Sequence, residues 1–278
     1  MTTTVLPIVI DMALMDEASR KAFALNLYNL MISYAFIKMG VGTSTMSRAA
    51  FFSFIKMNIG GQLLSFSDVE NGILRSNTRH PYSTKPPFGP NDPRRNVLAL
   101  SSLDCRIHFA LNCGAKSCPP VKFFHAESLD EELRVAALSF CETDDAVLLE
   151  EAKQEVKLSM LFKWFQSDFV GSPSDGASST TRTSSKDRLL HCLLQFVKGT
   201  KREMLERMLQ KQEQQRDHLI SIKFLPYDWT VPNISRYEVY SKQKHSRANM
   251  LSVEALWNLP SHSFRTCNNS ASPREAVV

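Results

Sequence analysis

Three side chains in one short segment, His108, Cys113 and Cys118, have the types that thiol chemistry needs. A cysteine hydrolase or transferase of the papain or transglutaminase kind uses a thiolate nucleophile, an imidazole base and a third group that orients the ring. Cys118 or Cys113 could be the nucleophile and His108 the base, with His125 as an alternative imidazole. Asn26, Asn29, Glu70, Asn112, Ser117 and Asp228 are candidates for binding or orienting groups. Gly114 permits a tight backbone turn between the two cysteines. A thiol close to free amide protons or to Lys116 would have a lowered pKa.

Two plainer readings stand beside this one. Free cysteine is among the most buried residue types, so Cys113 and Cys118 could be packing residues and His108 a hydrogen-bonded core group. A metal site could recruit Cys113, Cys118, His108 and His125. Structural zinc usually takes two close ligand pairs, however, and no second Cys-x-x-Cys pair exists, so no metal and no cofactor is expected. A Cys113–Cys118 disulfide is geometrically possible, but a cytosolic setting argues against it.

The surrounding sequence must position these groups. Residues 16–39 read as a long helix, capped by Asp16 or Ser19, with Phe23, Leu27, Leu30, Tyr34 and Ile37 on its apolar face. A second helix is expected from Ser47 through about Met57, ended by Gly60-Gly61. Ser67-Asp-Val-Glu70 has the spacing of a capping box and predicts a short third helix. Residues 76–96 hold five prolines and form a loop. Residues 106–111 read as a central strand that would deliver His108 to the sheet edge where the cysteine turn begins. A helix over 127–141, a hairpin from 146–149 and 156–158, and a short helix capped by Ser159 follow. Residues 171–186 are a low-complexity Ser/Thr-rich stretch, expected to be disordered. Residues 187–216 are helical, weakened at Gly199, and 220–225 form a last strand leading into Pro226-Tyr-Asp-Trp229. The predicted fold is mixed α/β (α+β), a helix-rich single domain with a small sheet over residues 11–240, with a poorly ordered tail over 241–278.

Composition sets outer bounds. The 278 residues are 43% hydrophobic and 22% charged, which suits a chain that buries a core. The net charge of +5 is spread among acids, so a nucleic-acid stripe is not expected. The apolar stretch 22–37 carries Asn26 and Asn29 and is too short and polar for a confident membrane span. No signal peptide is visible, and six scattered cysteines do not make a disulfide framework, so a cytoplasmic location with reduced thiols is expected.

Four segments together resemble the domain-of-unknown-function family 547. They are Ala22-Phe-Ala-Leu-Asn-Leu-Tyr-Asn29, Arg106-Ile-His-Phe-Ala-Leu-Asn-Cys-Gly-Ala-Lys-Ser-Cys-Pro119, Leu158-Ser-Met-Leu-Phe-Lys-Trp-Phe-Gln-Ser-Asp-Phe169 and Leu225-Pro-Tyr-Asp-Trp229. The chain departs from the family at Ala24, where a Trp is common, and at the 171–186 insertion. The resemblance implies a mixed α/β fold and brings no established activity. Because no nucleophile motif is complete, an interaction or adaptor module with a protein partner is the first expectation. A thiol-dependent hydrolase or transferase using Cys113 or Cys118 with His108 is the alternative.

Overall fold

Helix α1, Glu17–Met39, is the spine of the first half. Its first turn is closed by Asp16, whose carboxylate accepts from the Ser19 amide at 2.8 Å and the Ser19 hydroxyl at 2.9 Å. In the computed structural model, which describes residues 11–39, 51–52, 55–171, 184–215 and 219–231, α1 buries Ala24, Leu25, Tyr28, Met31, Ile32, Ala35 and Phe36. That face is rotated from the one predicted: Leu30 is 62% and Ile37 37% exposed, while small residues and Tyr28 face inward. Both faces of α1 repeat at three- and four-residue steps, so hydrophobicity alone did not choose between them.

The second predicted helix lies partly outside the described residues. Phe51 and Phe52 are helical, but the chain is then extended from Lys56. Strands β1, Lys56–Ile59, and β2, Gln62–Ser65, pair antiparallel. Gly60 and Gly61 join them with φ of 56° and 84°. Two successive positive φ values give the turn twist that a two-residue hairpin needs, so the glycines make a hairpin rather than end a helix.

The Ser67–Glu70 capping box is not formed. Ser65 and Asp68 form the reciprocal pair instead, with the Ser65 amide and hydroxyl donating to Asp68 Oδ2 at 2.8 and 2.7 Å. The Asp68 amide returns to Ser65 Oγ at 3.1 Å. The turn that follows, Asp68–Leu74, is π-helical, and the Arg75 amide donates five residues back to the Glu70 carbonyl at 2.8 Å. Glu70 is thereby free to point inward.

The predicted strand over 106–111 is a correction of more consequence. Residues Cys105–Phe109 form a 3-10 helix. Asp104 starts it by accepting from the Arg106 amide at 3.1 Å while also binding the Arg106 guanidinium. An aspartate that caps its own downstream amide competes with an extended chain. Ile107 and Ala110 pack into a first core built on α1, and Phe109 packs into a second. The lack of alternation reflects a turn buried on all sides, not a central strand.

The second core is formed by α2 (Leu129–Cys141), strands β3 (Val147–Glu150) and β4 (Glu155–Leu158), helices α3 (Met160–Trp164) and α4 (Gln166–Val170), α5 (Ser185–Leu193), α6 (Gly199–Gln214) and β5 (Ser221–Phe224). The hairpin β3–β4 is antiparallel as predicted, and β5 adds parallel to β4. Ser159 caps α3 as predicted. The long 187–216 helix is two helices, divided before Gly199, whose φ is 50°. Of the low-complexity stretch, residues 172–183 lie outside the described residues, whereas Ser184 forms a capping box with Asp187 and so belongs to α5. The predicted tail over 241–278 also lies outside the described residues. The chain is thus helix-rich mixed α/β, with sheets of two and three strands. Among the described residues no helix is long and apolar enough to cross a membrane.

Candidate functional site

The cysteine loop closes on itself through Asn112. Its Oδ1 accepts from the Gly114 amide at 2.6 Å and its Nδ2 donates to the Pro119 carbonyl at 2.6 Å. Both ends of the loop are therefore held by one side chain. Within it, the Cys113 and Cys118 sulfurs stand 2.9 Å apart. The Cys113 amide donates to Cys118 Sγ at 3.2 Å, and Tyr227 Oη lies 3.0 Å from Cys118 Sγ and 3.7 Å from Cys113 Sγ. Both thiols are half-buried rather than sealed.

Tyr227 reaches the loop because the last segment runs against it. The Lys116 amide donates to the Thr230 carbonyl at 2.7 Å, the Ser117 amide to the Asp228 carbonyl at 3.2 Å, and the Asp228 amide to Ser117 Oγ at 2.9 Å. Asp228 caps its own turn by accepting from the Thr230 amide and hydroxyl at 2.9 and 2.7 Å. Of the candidate binding residues, Asp228 and Ser117 are thus engaged in joining two backbones.

Asn29 and Asn26 are engaged likewise. Asn29 Nδ2 donates to the Ala110 carbonyl at 3.0 Å, and the Asn112 amide donates to Asn29 Oδ1 at 2.9 Å. Asn26 holds Phe124 by both its amide and its carbonyl, at 2.9 and 2.7 Å. Gly114, at a φ of 90°, packs so closely on Phe36 that a Cβ would lie 2.2 Å from the ring. Gly114→Ala combines a disfavoured φ with overpacking, so a loss of about 1–3 kcal/mol is expected in urea unfolding.

Electrostatics separate the two thiols. The hydrogen bond to Cys118 pushes the Cys113 thiol up, and burial adds to this. The same contact lowers Cys118; although burial opposes it, Tyr227 and the Cys113 amide add to the lowering, and the thiol is brought to about 7. Of the two, Cys118 is therefore the thiol that ionises more readily. Burial first, and then the two thiols, push the Tyr227 hydroxyl up, so it stays protonated beside them.

His108 is not part of this group. Its Nε2 lies 2.8 Å from Asp168 Oδ2, its ring stacks on Phe165 with centroids 3.9 Å apart, and the residue is buried. Asp168 is shared with Arg75, whose Nε and Nη2 donate at 2.6 and 2.8 Å. Arg75 Nη1 also donates to Asn71 Oδ1 at 2.6 Å and to the Arg79 carbonyl at 3.1 Å. Burial drives the His108 pKa down despite the carboxylate. Burial works to raise Asp168, but the hydrogen bonds from His108 and Arg75 outweigh it and hold the carboxyl at about 2.

The expected Cys–His pair is therefore not assembled: among the described residues neither sulfur hydrogen-bonds an imidazole. His125 pairs with Glu132 at 2.8 Å on the surface. No group of three or more His, Cys, Asp or Glu side chains among the described residues is placed to hold a metal ion. Glu70, half-buried, accepts from Tyr28 Oη at 3.2 Å. A cavity of about 440 Å3 opens away from the thiols, lined by Lys21, Asp104 and Arg106 among others, and both of its cations are already paired with Asp104.

Sequence reasoning missed Arg75, Asp168, Tyr28 and the thiol role of Tyr227. Arg75 carried one signal: it lies four residues after Asn71, at helical spacing for a shared face. Tyr227 carried another, as an aromatic with a polar tip next to a proline-bounded turn.

Fold and site together define a helix-rich mixed α/β protein with a paired-thiol loop. Residues 12–141 match the model of the family described as "Protein of unknown function, DUF547", and the chain is a DUF547 domain-containing protein. The matched span contains His108, Cys113 and Cys118; Asp168 and Tyr227 lie beyond it. No curated protein and no solved structure matches the chain.

Proposed function

We propose that this domain carries out thiol–disulfide exchange at Cys113 and Cys118. The carrying observation is that Cys118 Sγ has Cys113 Sγ at 2.9 Å, Tyr227 Oη at 3.0 Å and the Cys113 amide at 3.2 Å. These are the surroundings of a stabilised thiolate next to a second thiol, and they lack the imidazole that hydrolysis requires. The Cys118 thiolate attacks a disulfide of a small or protein thiol, forms a mixed disulfide and expels one thiolate. Cys113 loses its proton, attacks Cys118 Sγ, closes the internal disulfide and expels the second thiolate. Two electrons pass to the substrate disulfide. Closing the bond from the present separation to about 2.05 Å is a movement of roughly 1 Å. In a cytosolic setting the glutathione pool would keep the pair reduced at rest.

Alkylation tests the site. Iodoacetamide is expected to label Cys118 of the native protein first, with half-maximal rate near pH 7. Cys113→Ala removes a donor to the thiolate and is expected to move that midpoint upward. Oxidised glutathione is expected to leave wild type lighter by two hydrogens and Cys113→Ala glutathionylated. Resistance of both thiols to iodoacetamide at neutral pH sinks the reading.

A protein-interaction role is the second reading. It is favoured by the segment leaving the thiol loop, where Val121 and Phe123 are exposed just before buried Phe124. A protein partner presenting its own cysteine unites the two readings.

A further inference from the structure

We infer that the ring cluster of Trp164, Tyr227 and Trp229 is the substrate shelf of the thiol pair, and that it favours protein disulfides flanked by apolar or aromatic residues over glutathione disulfide. This deepens the thiol–disulfide reading and rests on it. The covalent step is the one already written, and the shelf supplies the choice of what enters it.

Direct contacts join the cluster to the thiols. Tyr227 is the shared member. Its hydroxyl lies 3.0 Å from Cys118 Sγ, and its ring centroid stands 4.9 Å from that of Trp164 and 4.7 Å from that of Trp229. The two indoles are 5.7 Å apart. These are the separations of packed aromatic rings. One tyrosine therefore reaches from the attacking sulfur to a pair of tryptophans. The backbone fixes this arrangement. Trp229 sits between the Asp228 and Thr230 carbonyls, which accept from the Ser117 and Lys116 amides at 3.2 and 2.7 Å, so its indole is tied to the thiol loop. Trp164 arrives from elsewhere in the fold, as the last residue of α3.

Neither end of this path is sealed from solvent. Cys118 and Trp164 are half-buried, and Trp229 is 39% exposed. An indole that served only to pin the chain would gain by burying its whole face. The occupant follows from continuity with the thiol. A disulfide that reacts at Cys118 must bring its flanking residues against the surface around that sulfur, and the ring cluster is part of that surface. Indole and phenol faces reward apolar and aromatic side chains, which is why Trp and Tyr dominate the energetics of protein interfaces. The charges on the same stretch, Lys116 and Asp228, pair with each other at 3.6 Å and cancel. That pair offers no net positive charge to the carboxylates of glutathione.

The test compares three disulfides at equal concentration against the full-length reduced protein, following thiol release. Two are disulfide-linked peptide dimers of equal length and charge, one with Leu and Phe beside the cysteine and one with Ser and Gly. The third is glutathione disulfide. Wild type is expected to react with the apolar dimer on the order of 10-fold faster than with either of the others, the scale of one well-placed interface aromatic. Trp229→Ala is expected to bring that ratio close to one, and Trp229→Phe to retain most of it. The pH midpoint of Cys118 alkylation reports an intact thiol loop in each variant. If Trp229→Ala does not fold or moves that midpoint, Trp164→Leu decides by the same ratio. A wild type without preference, or a ratio unchanged in the deciding variant, overturns the inference. A wild type that reacts with none of the three disulfides instead overturns the thiol–disulfide reading beneath it.

Discussion

Asp168→Ala is expected to cost about 3–5 kcal/mol of stability, the range for breaking a buried ion pair by removing one partner. Arg75 and Asp168 are bidentate, with side chains 1% and 2% exposed. Without the carboxylate, the Arg75 guanidinium stays buried with only the Asn71 and Arg79 oxygens, and His108 Nε2 loses its acceptor. Asp168 also ties the first core to the second: Arg75 ends the turn after β2, while Asp168 lies in α4. Urea unfolding at pH 7 measures the loss. Arg75→Met with Asp168→Leu is expected to recover much of it, because an apolar replacement of a whole buried pair is often near neutral. A single variant within 1 kcal/mol of wild type, a threshold well below the cited range, would show the pair to be dispensable.

The same pair sets the acid limb of stability. Asp168 is held at about 2 against an ordinary value of 3.8, so its contribution is complete above pH 4 and lost as pH falls from there toward 2. The difference corresponds to about 2 kcal/mol at 1.36 kcal/mol per unit. His108 acts in the same direction at higher pH. Its folded pKa is depressed, so the unfolded chain takes up the proton first as pH falls below about 6.5, and stability begins to decline there. Asp168→Ala is expected to remove the lower step.

How far the sequence exposed this site depends on whether each interaction is local. Asn112 and Gly114 were legible as a turn because the bonds that close it span two and seven residues. The Ser159 cap and the β3–β4 hairpin were legible for the same reason. The His108 reading failed because a 3-10 helix buried on all sides and a central strand present the same unbroken apolar run. Asp104, whose side chain starts the helix, was the distinguishing residue. Glu70 was misread at short range, since Ser65–Asp68 and Ser67–Glu70 offer two boxes of identical spacing. Arg75–Asp168 spans 93 residues and Cys118–Tyr227 spans 109, and no periodicity within a window reports such pairs. The resemblance did place the Asp168 and Tyr227 segments beside the cysteine segment as parts of one family pattern, without saying what joins them.

Asn29→Ala is expected to show that the thiol loop depends on α1. The buried amide serves two backbone groups, the Ala110 carbonyl and the Asn112 amide, and alanine satisfies neither. An orphaned buried polar group costs about 1–3 kcal/mol, so a loss on the order of 3 kcal/mol is expected in urea unfolding. The functional consequence is separable from that loss. Asn112 gathers Gly114 and Pro119, so a loosened Asn112 lets the Cys113 and Cys118 sulfurs part. Cys118 then loses the donors that hold it near 7, and its alkylation midpoint is expected to rise toward the ordinary thiol value under conditions where the variant is still folded. Asn26→Ala is the matched control. It removes two backbone partners of Phe124, downstream of the loop, and is expected to destabilise the fold while leaving the Cys118 midpoint in place. Equal shifts of that midpoint in both variants would mean that general loosening, rather than the Asn29 latch, governs the thiol. A shift in Asn29→Ala alone ties the reactivity of Cys118 to one amide on a helix 83 residues upstream of the turn it holds.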